Sequence, residues 1–260
     1  MMIEEAGEVH RLACLELRGG NHLAAYSAEL PGLAGWVSCH PLRPSPRGGD
    51  LYYLSACSQG VIARVALADV AGHGEVVSSA AVRLHDALRQ HIDQWDQSTL
   101  IRQLNDNFLN QTGQFATAFL ASFYSDSGEL LFTNAGHLPP LWYRAAAREW
   151  SLLYDSTPLS KEIVDLPLGL IEGTSYSQTA VQLEMGDLLL LYTDGISEAN
   201  DESGAQLGVE RLLSIARNLP AETAVSAGKA LLAAVARFRG TVLAADDETV
   251  VALQRRTGRV

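Results

Sequence analysis

Two apolar runs in this sequence each end on a carboxylate followed closely by glycine. Leu188 to Thr193 has the length and character of a buried strand, and it delivers Asp194 and then Gly195. Val61 to Ala68 delivers Asp69, with Gly72 and Gly74 just beyond. Such a strand holds a charge at a fixed point on a rigid edge. One instance alone is the ordinary makeup of a turn; two point to a shared site. Asp50 follows Gly48-Gly49, a pair that either makes a flexible turn or lets the backbone approach closely whatever the aspartate binds. Asp246-Asp247-Glu248 sets three like charges against the start of the last strand, a repulsion that a counter-cation or plain solvent exposure relieves.

The candidate set is therefore Asp50, Asp69, Asp194 and Asp246 or Asp247, from four separate places in the chain. With no Cys ligand and no His cluster beside them, these oxygens suit Mg2+ or Mn2+ over zinc. Several carboxylates around two such ions make a binuclear site. Ions ~3.5–4 Å apart share a water, lower its pKa and aim it at phosphorus. That chemistry needs no Ser or Cys nucleophile. None is apparent: there is no Gly-x-Ser-x-Gly, no Cys with a basic partner loop, no P-loop and no dinucleotide fingerprint.

The elements that must position these groups follow from period and punctuation. Residues 11–17 and Trp36–His40 read as strands, separated by a break at Gly19-Gly20-Asn21, and Leu51–Ser58 and Val61–Ala68 follow. From Glu75 the apolar spacing turns helical through Val77, Ala81, Leu84, Leu88 and Ile92. A second helix spans about 98–110, with Ser98 as its N-cap. Phe115–Tyr124 and Leu130–Asn134 make a hairpin across Ser125–Gly128. Residues 140–144, 150–153 and 178–183 are further strands, and 154–166 is irregular. Helices at about 207–218 and 222–238 precede a last strand at 249–253.

The chain has 260 residues, of which 47% are apolar, and no linker, repeat or low-complexity run divides it, so a single domain over 1–260 is expected. A net charge of −11 disfavours nucleic acid and anionic membrane as partners. Three scattered cysteines (Cys14, Cys39, Cys57) make neither a disulfide framework nor a zinc site and suit a reducing compartment. The acidic N-terminus lacks the features of a signal peptide, and no apolar run reaches the ~18 residues that span a bilayer. A cytoplasmic protein is expected.

Seven stretches together resemble the metal-dependent protein phosphatases (PPM, type 2C), specifically the bacterial SpoIIE-type branch with its RsbU-like regulators. They are Gly48–Tyr52, Ala68–Gly74, Phe115–Ala118, Asn134–Pro140, Leu166–Gly169, Gly186–Glu198 and Asp246–Val250, in family order within a core of about residues 34–254. The resemblance implies an α+β, four-layer α-β-β-α sandwich, two antiparallel sheets flanked by helix pairs. It implies hydrolysis of phosphoserine or phosphothreonine on a regulatory protein, such as an anti-anti-sigma (STAS-type) partner, by water activated between two Mn2+ or Mg2+ ions. By motif position Asp69 bridges the ions, with the Val70 carbonyl beside it on one. Asp194 and Asp246 complete the other, and Asp50 holds the second ion directly or through its waters. Asp247 takes the place of Asp246 if the register shifts by one. His73, His137 and Asn134 have structural hydrogen-bonding roles rather than acid catalysis. Relatives in this branch also form homodimers through the helix layer.

The sequence departs from the family pattern in places. Tyr53 stands where the family often has Asp, which would lower affinity at one ion site. Glu248 replaces a commonly apolar residue and adds negative charge at the rim. Arg47 is off register for the phosphate-gripping Arg of animal-type members, and residues 1–33 match poorly. These features favour an alternative, a catalytically weak or inactive module that serves as a protein-binding partner switch. A phosphohydrolase of small metabolites is a third reading.

Overall fold

The computed structural model describes residues 9–12, 17–57, 60–72, 75–90, 96–112, 114–154 and 164–257. In chain order the elements are β1 (Val9–Arg11), β2 (Leu17–His22), β3 (Ala24–Leu30), β4 (Leu33–His40), β5 (Arg47–Cys57), β6 (Ile62–Val70), α1 (Glu75–Gln90) and α2 (Gln97–Thr112). Then come β7 (Ala116–Tyr124), β8 (Glu129–Ala135), β9 (Leu141–Arg144), β10 (Glu149–Leu152), β11 (Thr179–Gln182) and β12 (Leu188–Tyr192). The short α3 (Asp194–Ser197), α4 (Gly208–Ala216), α5 (Ala224–Arg239) and β13 (Glu248–Arg255) complete the chain.

The strands form a seven-stranded sheet, β1-β3-β4-β13-β12-β9-β10, and a six-stranded sheet, β11-β8-β7-β6-β5-β2. They face each other across a core that includes Val37, Leu189, Leu191, Val251 and Leu253 from one sheet and Leu54, Val65, Leu67, Phe119 and Phe132 from the other. The outer face of the six-stranded sheet packs on α1 and α2 through Ala66, Ala68, Val77, Leu84, Ile101 and Leu104. The outer face of the other packs on α4 and α5 through Leu188, Leu190, Tyr192, Leu212, Leu231 and Val235. The result is the expected four-layer α-β-β-α sandwich. The leucine run of β12 now has its reason. Alternate residues point to opposite faces of a strand, and both faces of this one are buried, so each position is apolar.

Several local expectations change. Gly19-Gly20-Asn21 does not break a strand but lies within β2, which carries an irregularity between Gly20 and His22. Most of the strand expected at 11–17 lies outside the described residues, with β1 ending at Arg11 and β2 starting at Leu17, and β3 is an additional strand. β1 runs parallel to β3, the exception to two otherwise antiparallel sheets. Asp96, not Ser98, caps α2, its Oδ1 accepting from the Ser98 amide at 3.0 Å. Much of the irregular stretch, 155–163, lies outside the described residues.

Gly228 lets α5 approach β4: a Cβ there would lie 2.3 Å from Trp36 Cε3 and 3.4 Å from the Ala252 Cβ. Alanine would gain about 1 kcal/mol of helix propensity, but the clash with a buried indole costs about 1–3 kcal/mol. Gly228→Ala is therefore expected to be destabilising in net, with a lowered urea midpoint and an unchanged m-value; a raised midpoint would contradict this packing.

Candidate metal centre

The central strands of both sheets end together at one end of the sandwich. β5 and β6 pair antiparallel with Asp50 opposite Asp69. β12 and β13 pair antiparallel with Tyr192 opposite Val250, so Asp194 leaves one strand where Asp246 and Asp247 enter the other. On β5, Tyr52 and Leu54 face the core between the sheets while Leu51 and Tyr53 face the helices. Asp50 shares the inward parity of Tyr52 and Leu54, and Asp69 that of Val65 and Leu67. The strand alternation thus aims both aspartates into the space between the sheets.

Asp50 is buried, and its Oδ2 accepts from Thr193 Oγ1 at 2.7 Å. Thr193 Oγ1 in turn accepts from the Thr249 amide at 3.0 Å, and the Thr193 amide donates to the Thr249 carbonyl at 3.1 Å. One hydroxyl thus ties a carboxylate of the six-stranded sheet to two strands of the other. This role was not visible in the sequence; the contact spans 143 positions.

The three consecutive acids of 246–248 differ in their partners. Asp246 and Asp247 both raise Asp69, Asp246 the more strongly, and Asp247 also raises Asp50 and Asp194. Asp247 accepts from the Leu42 amide through Oδ1 and from the Gly49 amide through Oδ2, both at 2.6 Å. Glu248 forms an ion pair with Arg239, so it does not add free negative charge to the rim as expected. Asp247 is a clamp on the loop and strand that present Asp50. The glycines beside it leave room for this: a Cβ on Gly48 would fall 2.3 Å from Asp247 Oδ2, and one on Gly195 2.0 Å from the Asp247 carbonyl oxygen. Gly48-Gly49 is strand, not a flexible turn.

Burial, and then the neighbouring Asp69, hold the Asp50 carboxyl well above the usual range, against the hydrogen bond from Thr193. Asp69 is pushed up to about 8 by burial, then by Asp194 and Asp246. Asp194 is itself raised by burial and then by Glu198. The groups acting most strongly on these three aspartates are carboxylates, hydroxyls, carboxylic acid and backbone amide, with no guanidinium or ammonium. Among the described residues, no three His, Cys, Asp or Glu side chains stand arranged to enclose a metal. An oxygen-only cluster of this kind is nonetheless a donor set that fits a hard divalent cation.

Val70 ends β6, buried, with its carbonyl oxygen 2.9 Å from where a Gly49 Cβ would stand. Tyr53 is buried on the helix side, its ring edge-on to His85 at 6.4 Å, on the opposite face from Asp50, so it does not crowd the aspartates. Arg47 is exposed at the start of β5. His137 is buried, with Nδ1 2.8 Å from Thr117 Oγ1 and its amide donating to Asn134 Oδ1 at 2.7 Å, while Asn134 Nδ2 donates back to the His137 carbonyl. Burial holds the His137 pKa down to about 4, and it is neutral at physiological pH. His73 and Gly74 lie outside the described residues.

Mutation separates the two adjacent aspartates. Asp247→Asn turns an NH2 toward one of two amides and is expected to cost about 1–2 kcal/mol of stability in urea unfolding. Asp246→Asn should leave stability within about 0.5 kcal/mol while weakening Mn2+ binding roughly 10- to 100-fold by calorimetry. Thr193→Val is expected to cost about 1–3 kcal/mol by stranding the Asp50 carboxyl and the Thr249 amide, whereas Thr193→Ser keeps both bonds. Equal behaviour of Asp246→Asn and Asp247→Asn would contradict the division of roles.

Comparison with known proteins places this geometry. The phosphoserine phosphatase RsbU of Bacillus subtilis (strain 168) is 26% identical over 164 residues, covering 60% of this chain and 44% of that protein. The chain thus spans less than half the length of that curated relative. The RsbU and RsbW domains of Rv1364c from Mycobacterium tuberculosis superpose with a TM-score of 0.74 at 23% identity, over 90% of this chain and 63% of that one. The catalytic domain of the serine/threonine phosphatase PstP, solved with 2 manganese ions, superposes with a TM-score of 0.57 at 19% identity, over 85% and 97%. These structural likenesses show a PP2C-type fold. The family model of Stage II sporulation protein E (SpoIIE) matches residues 62–256, well over half of the sequence, and the chain belongs to that family.

Proposed function

We propose that this chain is a single-domain, metal-dependent serine/threonine protein phosphatase of the cytoplasm, acting on a phosphorylated regulatory protein. The observation that carries the reading is the convergence of Asp50, Asp69, Asp194 and Asp246 on one acidic point at the end of the sandwich, where Asp50 is buried and the groups acting most strongly on Asp50, Asp69 and Asp194 include no cation. Family membership and the resemblance to RsbU support the reaction class.

Asp50, Asp69, Asp194, Asp246 and the Val70 carbonyl would hold two Mn2+ or Mg2+ ions, which when bound supply an activated water and polarise phosphoryl oxygens. The chain's own part is positioning. Thr193 fixes the rotamer of Asp50. The Asp247 clamp holds the segment before Asp50, and β12 and α3 set Asp194 at the mouth. The acidic surroundings discourage a polyanionic nucleotide and favour a phosphate carried on a protein. The substrate is read as a phosphorylated regulator of the STAS type, by analogy with the RsbU-like relatives. Tyr53, the feature that favoured a non-catalytic module, packs in the helix-side core and leaves the aspartates converged.

Hydrolysis of p-nitrophenyl phosphate should require Mn2+ or Mg2+. EDTA or Asp194→Asn should each lower kcat/KM by about a hundredfold or more. Activity indifferent to both would overturn the proposal. Asp69→Asn removes a carboxyl whose ionisation burial and the neighbouring aspartates oppose. In EDTA its melting temperature should match or exceed that of the wild type, and Mn2+ should no longer raise it by scanning calorimetry.

A further inference from the structure

The segment 164–178 is an irregular stretch built with unusual completeness. Asn105 on α2 is fully buried, and its side chain serves this segment alone apart from a bond to Asp106. Its Oδ1 accepts from the Gly169 amide at 2.9 Å and from Tyr176 Oη at 3.1 Å, and its Nδ2 donates to the Ile171 carbonyl at 3.0 Å. Thr174 Oγ1 donates to the same carbonyl at 2.8 Å. Asp165, at φ 59°, accepts from the Ser177 amide at 2.6 Å, and Val164 bridges to Ser175. Gly169, at φ 76°, sits where a Cβ would strike the Gln114 carbonyl oxygen and the Phe108 ring.

The product of this scaffolding is odd by the logic of burial. Leu170 is 46% and Ile171 50% exposed, although the backbone that carries them is pinned on both sides. Phe115, 42% exposed, is joined to the same segment through the backbone, since Ala116 and Leu168 exchange both backbone hydrogen bonds. The backbone also links this segment to the candidate site: the Phe115 carbonyl accepts from the Ala71 amide at 2.9 Å, two residues beyond Asp69. Large apolar side chains held rigidly in solvent at the edge of a site mark a recognition surface, since their order is set before binding.

We infer that Phe115, Leu170 and Ile171 form a docking strip for the protein substrate, which takes a phosphoserine or phosphothreonine segment whose neighbouring residues are apolar rather than acidic. This rests on the phosphatase reading above and names the substrate class of that same site. An acidic flank would meet a chain of net charge −11, whereas an apolar one covers the strip.

The test uses the full chain with Mn2+, p-nitrophenyl phosphate, and two short phosphoserine peptides, one flanked by Leu and Val and one by Ser and Gly. Wild type should prefer the apolar-flanked peptide about tenfold in kcat/KM. In Leu170→Ser/Ile171→Ser the ratio of peptide to p-nitrophenyl phosphate turnover should fall by about the same factor and the preference vanish. Phe115→Ser and the two single variants should each lose part of it, with melting curves showing that all are folded. Turnover of p-nitrophenyl phosphate without preference in the wild type, or preference kept in the double variant, overturns the docking strip and leaves the phosphatase reading standing. A double variant that keeps the preference but loses a dimer on gel filtration assigns the strip to a second copy of the chain and also overturns it. No turnover of any substrate by the wild type removes the phosphatase reading and this inference with it.

Discussion

Carboxylates buried side by side repel one another, and each loses its hydration as it enters the protein. This sandwich gathers them at one end: Asp50 and Asp69 directly opposite on paired strands, with Asp194 and Asp246 arriving from the other sheet. The groups acting most strongly on Asp50, Asp69 and Asp194 include no cation. What holds them is a set of directed bonds, the Thr193 hydroxyl on Asp50 and the amides of Leu42 and Gly49 on Asp247. A fold that expends stability in this way keeps a charge in reserve for something that arrives from outside.

The layers explain how such a concentration can be tolerated. The strands that carry the aspartates lie centrally in their sheets and are buried on both faces, in β12 by leucine and tyrosine and in β6 by small alanines toward α1 and large side chains toward the opposite sheet. The packed interior makes the strand ends rigid, so the repulsion cannot be relieved by spreading. Where relief is available the chain uses it: Glu248 finds Arg239, and Asp247 finds two backbone amides. The same economy is absent from the Leu170–Ile171 strip, where hydrogen bonds around Asn105 keep apolar side chains out in water. Acidic point and apolar strip are joined through Ala71 and Phe115, so a phosphate and its flanking side chains address neighbouring parts of one surface.

Among the described residues no helix is long and apolar enough to cross a membrane. The match to the SpoIIE family covers residues 62–256, and β1 to β4 lie before it. Three of those strands, β1, β3 and β4, nonetheless complete the seven-stranded sheet, with β4 paired to β13 along its whole length. The early residues with little family likeness therefore serve the same architecture as the motifs.

The strand ends, their aspartates and both helix pairs were legible in the sequence, because strand and helix periods and Asp-Gly punctuation are local signals. So was the oxygen-only character of the site, which depends only on residue type. Between Asp246 and Asp247 the sequence left a choice, and the amide partners that Asp247 finds at Leu42 and Gly49 come from parts of the chain some two hundred residues away, which no local pattern shows. Glu248 read as free charge because Arg239 approaches it from a helix that packs there in three dimensions. Gly19-Gly20 read as a break because the strand that accepts it, β5, begins more than two dozen residues later. Thr193 gave no local sign of its role at all: a hydroxyl next to an aspartate becomes a tie between two sheets only when tertiary packing brings Asp50 and Thr249 to either side of it.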